Sequence, residues 1–477
     1  MRKQGWKLLL VVLALTLVVA ALPFMSACKT TATTTTAPAT TTTTAPATTT
    51  TTAPATTTTT TVLPTPTKEL KFGAVVPLSM EEGIEIQKWL NLFAKVYNEQ
   101  GGWKIGNDYY KVTPIVYDLG SQPGQSRAAL ERLVYQDKVK YIVNSWGDSA
   151  AETVSITEPN KVLTIGFGFT DESVDPKLQY YFRGLGIFFA RAMQYVIYQD
   201  YYSKGVRTGV LLLEDNQANR YTALGWNNAM KLAGITPLDP IYFAGDIADY
   251  SLVVTKALPL KPDLIDLGNL SGAAVSNMMA ALKNAGYAGK VMPGNMSPDI
   301  LKDCLTRVGA DYMEGRMQMY RDPRGYQKDP EMLKLMDRYV QEYGEFKTDG
   351  CFWMQEWFIF RDAINATQST DVDVLKKYLE NGPPASMTLV GYAQFFARPD
   401  VKNYRTIDTA PGHGVGIIKN GVVEYYKQVT VRDQYLVSII VMGLEEAYKK
   451  YWDEYGFPKF PAAEKPFFEY TYTPPAK

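Results

Sequence analysis

The chain has 477 residues, with 49 basic and 49 acidic side chains, one histidine and three cysteines. Charge is balanced and no basic block occurs, so neither nucleic acid nor an anionic surface is implied as a partner. A single imidazole leaves multi-histidine metal sites without their ligands, and any Ser-His-acid set would depend on that one residue.

In chain order, Arg2, Lys3 and Lys7 precede an apolar run from Leu8 to Leu22, the charged-then-apolar layout of a secretory signal. The run is shorter than the roughly 20 residues needed to span hydrocarbon. It ends in Met25-Ser26-Ala27-Cys28. This resembles the bacterial lipobox, in which the cysteine is diacylated and becomes the new N-terminus, although Met25 stands where Leu is usual. The competing reading is an ordinary cleaved signal. Residues 1–27 are therefore expected to be a lipoprotein signal peptide. Residues 28–67 are almost wholly Thr, Ala and Pro, with no side chain large enough to build a core, and read as a disordered tether. At about 3 Å per residue it reaches up to roughly 100 Å.

Beyond Thr67, β-type apolar runs alternate with helical periodicity. Strands are predicted at Leu70 to Leu78, Tyr110 to Tyr117, Lys140 to Val143 and Val162 to Phe167, with helices at Ile84 to Tyr97, up to Val134, and at Ala150 to Thr157. After the amphipathic stretch Phe188 to Tyr202 a second series begins. Its strands are Arg207 to Leu213, Pro240 to Phe243, Leu264 to Leu267 and Lys290 to Met292. Its helices are Tyr221 to Leu232, Tyr250 to Ala257, Ala273 to Ala285 and Asp299 to Val308. Such βαβ repetition argues parallel sheets covered by helices on both faces, here in two lobes. A helical pattern at Phe352 to Ala366 and a strand at Val415 to Ile418 return to one lobe or the other. Tyr435 to Tyr451 is again helical in period, before an aromatic and Pro-rich end. The first lobe is expected over 68–186 with returning segments from about 345–410, the second over 187–344. Residues 411–477 are expected to hold hinge-proximal strands and a C-terminal extension. Cys304 and Cys351 either pair in an oxidising compartment or are two separate buried thiols.

Several ordered segments carry a likeness: Leu70 to Ser79, Asn98-Glu-Gln-Gly101-Gly102, Tyr117-Asp118 with the helix start at Pro123 to Ala128, Asp249-Tyr250-Ser251, Pro262-Asp263, Ala281 to Gly286 and Gly309 to Gly315. Together these resemble the branched-chain amino acid (leucine/isoleucine/valine-type) substrate-binding proteins of ABC transporters. The resemblance implies a type I periplasmic binding protein: an α/β fold of two doubly wound parallel-sheet lobes joined by a three-crossover hinge, closing on a solute. It implies a small molecule and permease subunits as partners; the export signal and Cys28 make the protein an exported, membrane-anchored one, and with no catalytic motif present neither a cofactor nor catalytic residues are expected.

Matching the family's contact positions, residue by residue, points to two first-lobe loops. One holds Ser145, Trp146 and Ser149; the other holds Phe169 and Thr170. The plainer reading is that Ser145 and Thr170 cap the helices that follow. Trp146 either offers a flat apolar wall or fills space that a larger ligand would occupy. In the opening loop Ser79, Met80 and Glu82 are within the mapping. In the second lobe Asn219 stands where the family has a ligand-facing Tyr, or Tyr221 if the loop shifts. Asn295 stands at the place of the acidic residue that grips an ammonium, so the scaffold carries over and the amino-acid pocket does not. The expected solute is amino-acid-like, carboxylate-bearing or aromatic. Competing readings are a sensory protein signalling to a membrane receptor, an enzyme, and an adhesion protein. His413, in a turn of Ala410-Pro411-Gly412-His413-Gly414 with no partner histidine, reads as structural.

Overall fold

The computed structural model describes residues 63–120, 124–146, 150–168, 171–270, 272–294 and 296–475. In the first lobe, strands Asp108–Asp118, Lys68–Val76, Tyr141–Ser145, Leu163–Phe167 and Tyr181–Leu185 lie side by side in parallel, in the order second-first-third-fourth-fifth. Their apolar side chains are buried because helices cover the sheet. Phe72, Tyr141, Trp357 and Phe360 interlock across one face, with ring centroids 5.0–5.9 Å apart. Strand Asn403–Pro411 returns to extend this sheet beside Tyr181–Leu185, and Gly391–Arg398 pairs with it in antiparallel fashion. Helix Pro330–Tyr343 also reaches this core through Met332, Met336 and Tyr339.

The second lobe repeats the order on a smaller scale. Strand Thr208–Glu214 lies between the short strands Thr236–Pro237 and Ile241–Phe243 on one side and Leu264–Asp266 on the other, with Lys290–Met292 beyond, all parallel. Alternation along the first of these builds a core on each face. Leu211 and Leu213 pack with helices Arg191–Ser203 and Gln217–Leu232, whereas Val210 and Leu212 pack with Ser251–Ala257 and Ala273–Asn284. Side-chain caps set where helices start. Asn216 accepts from the Asn219 amide, Ser297 from Ile300, and Thr430 with Asp433 forms a capping box.

A third, antiparallel sheet of Met317–Tyr320, His413–Lys419 and Val422–Val429 packs against the second lobe through Met317, Val415 and Ile417. The chain thus passes between the two bodies three times: from Leu185 to Arg191, from Tyr320 to Pro330 and from Pro411 to His413.

The C-terminal segment differs from the single helical stretch expected. Helix Val431–Val441 ends at Gly443, whose φ is +70°, and the Leu444 amide bonds back to the Ile439 carbonyl, a helix stop that L side chains adopt poorly. A second helix, Glu445–Tyr455, follows. The aromatic tail then packs on Ile187 and Phe188 of the first crossing. Cys304 and Cys351 are free thiols, buried in different cores.

Candidate functional site

Strand order reverses between Lys68–Val76 and Tyr141–Ser145, and such a switch point opens a crevice beyond the strands' carboxyl ends. The loop after the first of these strands is held tightly. The Leu78 amide donates to Asp118, and a Cβ on Gly83 would meet the Pro77 carbonyl at 2.1 Å, so only glycine lets the following helix start this close. Near the end of the second strand, Asn144 adopts φ of +57° and its side-chain amide donates to the Trp353 carbonyl at 2.7 Å.

Ser145 is fully buried and its hydroxyl bonds Thr153 at 3.0 Å, inside the helix that follows. Trp146 stacks on Phe167 with centroids 5.0 Å apart, and Trp353 meets both rings at 4.7 Å. The indole N–H of Trp146 is buried without a hydrogen-bond partner. Ser149, Phe169, Thr170 and Asn295 lie outside the described residues, as does Cys28.

In the second lobe Asn219 is buried and occupied at both ends of its amide. It donates to the Glu214 carbonyl at 2.9 Å and accepts from Asn269 at 3.0 Å. Tyr221 packs instead with Arg191, whose guanidinium lies 5.5 Å from the ring centre. Of the nearby acids, Asp215 is gripped by both arms of Arg220.

A feature the sequence did not signal lies where the three crossings converge. A small cavity, about 40 Å³, is lined by Phe189 of the first crossing, Arg321 of the second and His413 at the end of the third, together with Glu82, Phe352 and Trp353. Arg321 pairs with Asp349 at 2.6 Å on its wall. Trp353 also touches Trp146, so the aromatic surface runs unbroken from the strand-end loop to this cavity. Glu82 follows the switch-point strand and was within the sequence mapping, whereas Phe189, Arg321, Phe352, Trp353 and His413 follow no strand at the switch point. For the rest the sequence offered only the lone His413, read as structural, and a Phe-Trp pair, 352–353, at the start of a helical pattern. A larger groove, about 510 Å³, is walled by helices Glu81–Glu99, Pro330–Tyr343 and Gln355–Thr367 and touches no strand-end loop.

The sequence profile of the periplasmic binding protein family matches residues 69–407. This chain belongs to that family. No curated protein matches it significantly. Among solved structures, a leucine-binding protein from Thermotoga maritima is 16% identical and aligns over 75% of this chain and 98% of its own, with a TM-score of 0.59. An ABC transporter substrate-binding protein from Desulfitobacterium hafniense, in complex with Leu, is 15% identical over 75% of this chain and 100% of its own, with a TM-score of 0.58. A solute-binding protein from R. palustris in complex with 4-hydroxybenzoate is 15% identical over 76% of this chain and 96% of its own, with a TM-score of 0.59. At these identities the likeness speaks for the fold, which is the two-lobed type I architecture with three crossings.

Within this periplasmic binding protein, the described residues beside the switch point and the crossings include an aromatic wall of Trp146, Phe167, Phe352 and Trp353. Aromatic faces favour stacking with flat solutes. The hydroxyl of Ser145 and the amide of Asn219 hold the protein's own loops in place.

Proposed function

We propose that this chain is an extracytoplasmic solute-binding protein, held at the membrane by lipid on Cys28 and delivering a small molecule to the permease subunits of an ABC-type transporter. The observation that carries the reading is the meeting of all three crossings at an aromatic-walled cavity between two doubly wound lobes. A solute lying against the aromatic wall with one group in this cavity contacts the segments that bend when the lobes close, so its binding energy bears on the open-closed equilibrium. A micromolar solute supplies about 8 kcal/mol, ample against the few kcal/mol that separate such states. Binding, rather than catalysis, is the role assigned to these residues.

The solute proposed is aromatic or carboxylate-bearing. Relatives of the same fold are described in complex with leucine and with 4-hydroxybenzoate, which spans both classes. Stacked Trp146 and Phe167 favour the aromatic class, and the first-lobe loops from Ser145 to Ser149 and at Phe169 and Thr170 are proposed to receive its anionic end. Asn295 is proposed to face it from the second lobe, on loops that the buried Asn219 helps to hold, with no carboxylate at position 295 to neutralise an ammonium. A buried ammonium without a counter-charge loses several kcal/mol of hydration.

Thermal-shift screening of leucine, isoleucine, valine, benzoate and 4-hydroxybenzoate against ligand-stripped protein, followed by small-angle scattering, tests the reading. A stabilising solute is expected to reduce the radius of gyration. Stoichiometric binding with no compaction would overturn the clamp. Labelled palmitate entering the wild type but not Cys28→Ala supports the anchor, and equal labelling of both removes it.

A further inference from the structure

The cavity at the crossings contains two side chains with buried polar atoms that nothing satisfies, the Thr348 hydroxyl and the His413 imidazole, and the imidazole offers two such atoms. His413, the only histidine of the chain, is 1% exposed, and neither ring nitrogen has a hydrogen-bond partner. The Pro411 carbonyl lies near enough to favour a protonated ring but outside hydrogen-bonding alignment. Burial nevertheless pushes the imidazole pKa down to about 4, so at neutral pH the ring offers one N–H donor and one lone pair. Buried polar groups in folded proteins are almost always paired, so an orphan facing a cavity calls for a partner that enters it.

We propose that His413 reads the solute, and that the group it reads is a hydroxyl carried on a flat aromatic ring. This rests on the solute-binding reading above and names the chemistry within it. A hydroxyl both donates and accepts, so it can complement a neutral imidazole in either tautomer, whereas a carboxylate satisfies only the N–H.

The rest of the wall discriminates in the same direction. Arg321 is paired with Asp349, so its charge is already neutralised. Glu82 also lines the cavity; it repels a carboxylate and accepts from a hydroxyl. The rings of Phe189, Phe352 and Trp353 follow one another edge to face, with centroids 5.8 and 5.0 Å apart, and form an apolar wall against which an aromatic solute packs. A volume of about 40 Å³ takes a hydroxyl and not a whole ring. The solute ring therefore lies along the aromatic strip toward Trp146, with its hydroxyl seated at the crossings.

The single histidine makes a direct test possible. Full-length protein labelled with ¹⁵N-histidine gives one imidazole spin system, to be followed on adding 4-hydroxybenzoate, benzoate or leucine to the ligand-stripped chain. 4-Hydroxybenzoate is expected to bind and to shift both ring nitrogens. His413→Phe is expected to lose about tenfold in affinity for 4-hydroxybenzoate while changing benzoate affinity by less than about twofold, the scale of one lost hydrogen bond. His413→Gln, which keeps a donor and an acceptor, is expected to retain most of the binding and guards against a folding defect in the Phe variant. Binding of 4-hydroxybenzoate with compaction, but with unmoved imidazole signals and unchanged affinity in His413→Phe, overturns the inference and leaves the solute-binding reading intact. Failure of 4-hydroxybenzoate to bind also overturns it, while the wider solute screen decides the solute-binding reading separately.

Discussion

Arg183 Nη2 lies 2.5 Å from Asp408 Oδ2, with both side chains fully buried. Asp408 is also the residue of the returning strand that stands in register with Arg183, so the ion pair sits on the seam where a distant segment joins the first sheet. Arg398 approaches the same carboxylate at 3.2 Å. Removing one partner of a buried pair leaves uncompensated charge, typically at a cost of about 3–5 kcal/mol. Asp408→Asn is accordingly expected to lower the urea midpoint strongly with an unchanged m-value. A loss below about 1 kcal/mol would contradict this account of the seam.

His413 also predicts a pH dependence in the solute-free protein. Its folded pKa, about 4, is below the ordinary value near 6.5 because burial disfavours the imidazolium. Between those values the unfolded chain takes up a proton that the folded chain does not. The associated stability is complete above pH 6.5 and is lost as pH falls toward 4, by about 3 kcal/mol in all. Denaturant titrations at pH 7.5 and 4.5 should show His413→Phe losing less stability on acidification than the wild type. Parallel curves for the two proteins would refute the assignment.

Both thiols of the globular part are inaccessible. Burial pushes the Cys304 thiol up to about 12 and the Cys351 thiol up as well, so neither forms a reactive thiolate at neutral pH. In a Cys28→Ser chain, a thiol-specific disulfide reagent is expected to find no reactive group under native conditions and two after unfolding in guanidinium. Reaction of either cysteine in the native protein would show that its core opens readily.

Asn219, in the first turn of helix Gln217–Leu232, and Asn269, in the loop after strand Leu264–Asp266, tie these two second-lobe segments together. Single alanine substitutions should each destabilise the lobe, and the double mutant should cost less than their sum by about 1 kcal/mol, the coupling of one neutral hydrogen bond. Full additivity in thermal or denaturant unfolding would mean that the contact contributes nothing.

Much of the architecture was legible because it is written in local pattern. The strand at Lys290–Met292 and the helix at Ala150–Thr157 fall where periodicity puts them, and the second series of strands and helices follows in the predicted order. Period-2 and period-3.6 burial are properties of a few neighbouring residues, and the ordered family segments sit on those same elements. What the sequence left open were choices between partners far apart in the chain. Ser145 had two readings as a residue type; its position opposite Thr153 determines where its hydroxyl bonds. The amide of Asn219 was free on paper and is occupied once the Asn269 loop is beside it. Cys304 and Cys351 were equally able to pair or to stand apart until folding placed them in separate cores. The cavity at the hinge is the clearest case. Phe189, Arg321 and His413 belong to three different crossings, and no local periodicity relates them. Only the tertiary fold brings them together, because desolvation and hydrogen-bond satisfaction depend on what surrounds a side chain in space and not on its neighbours in sequence.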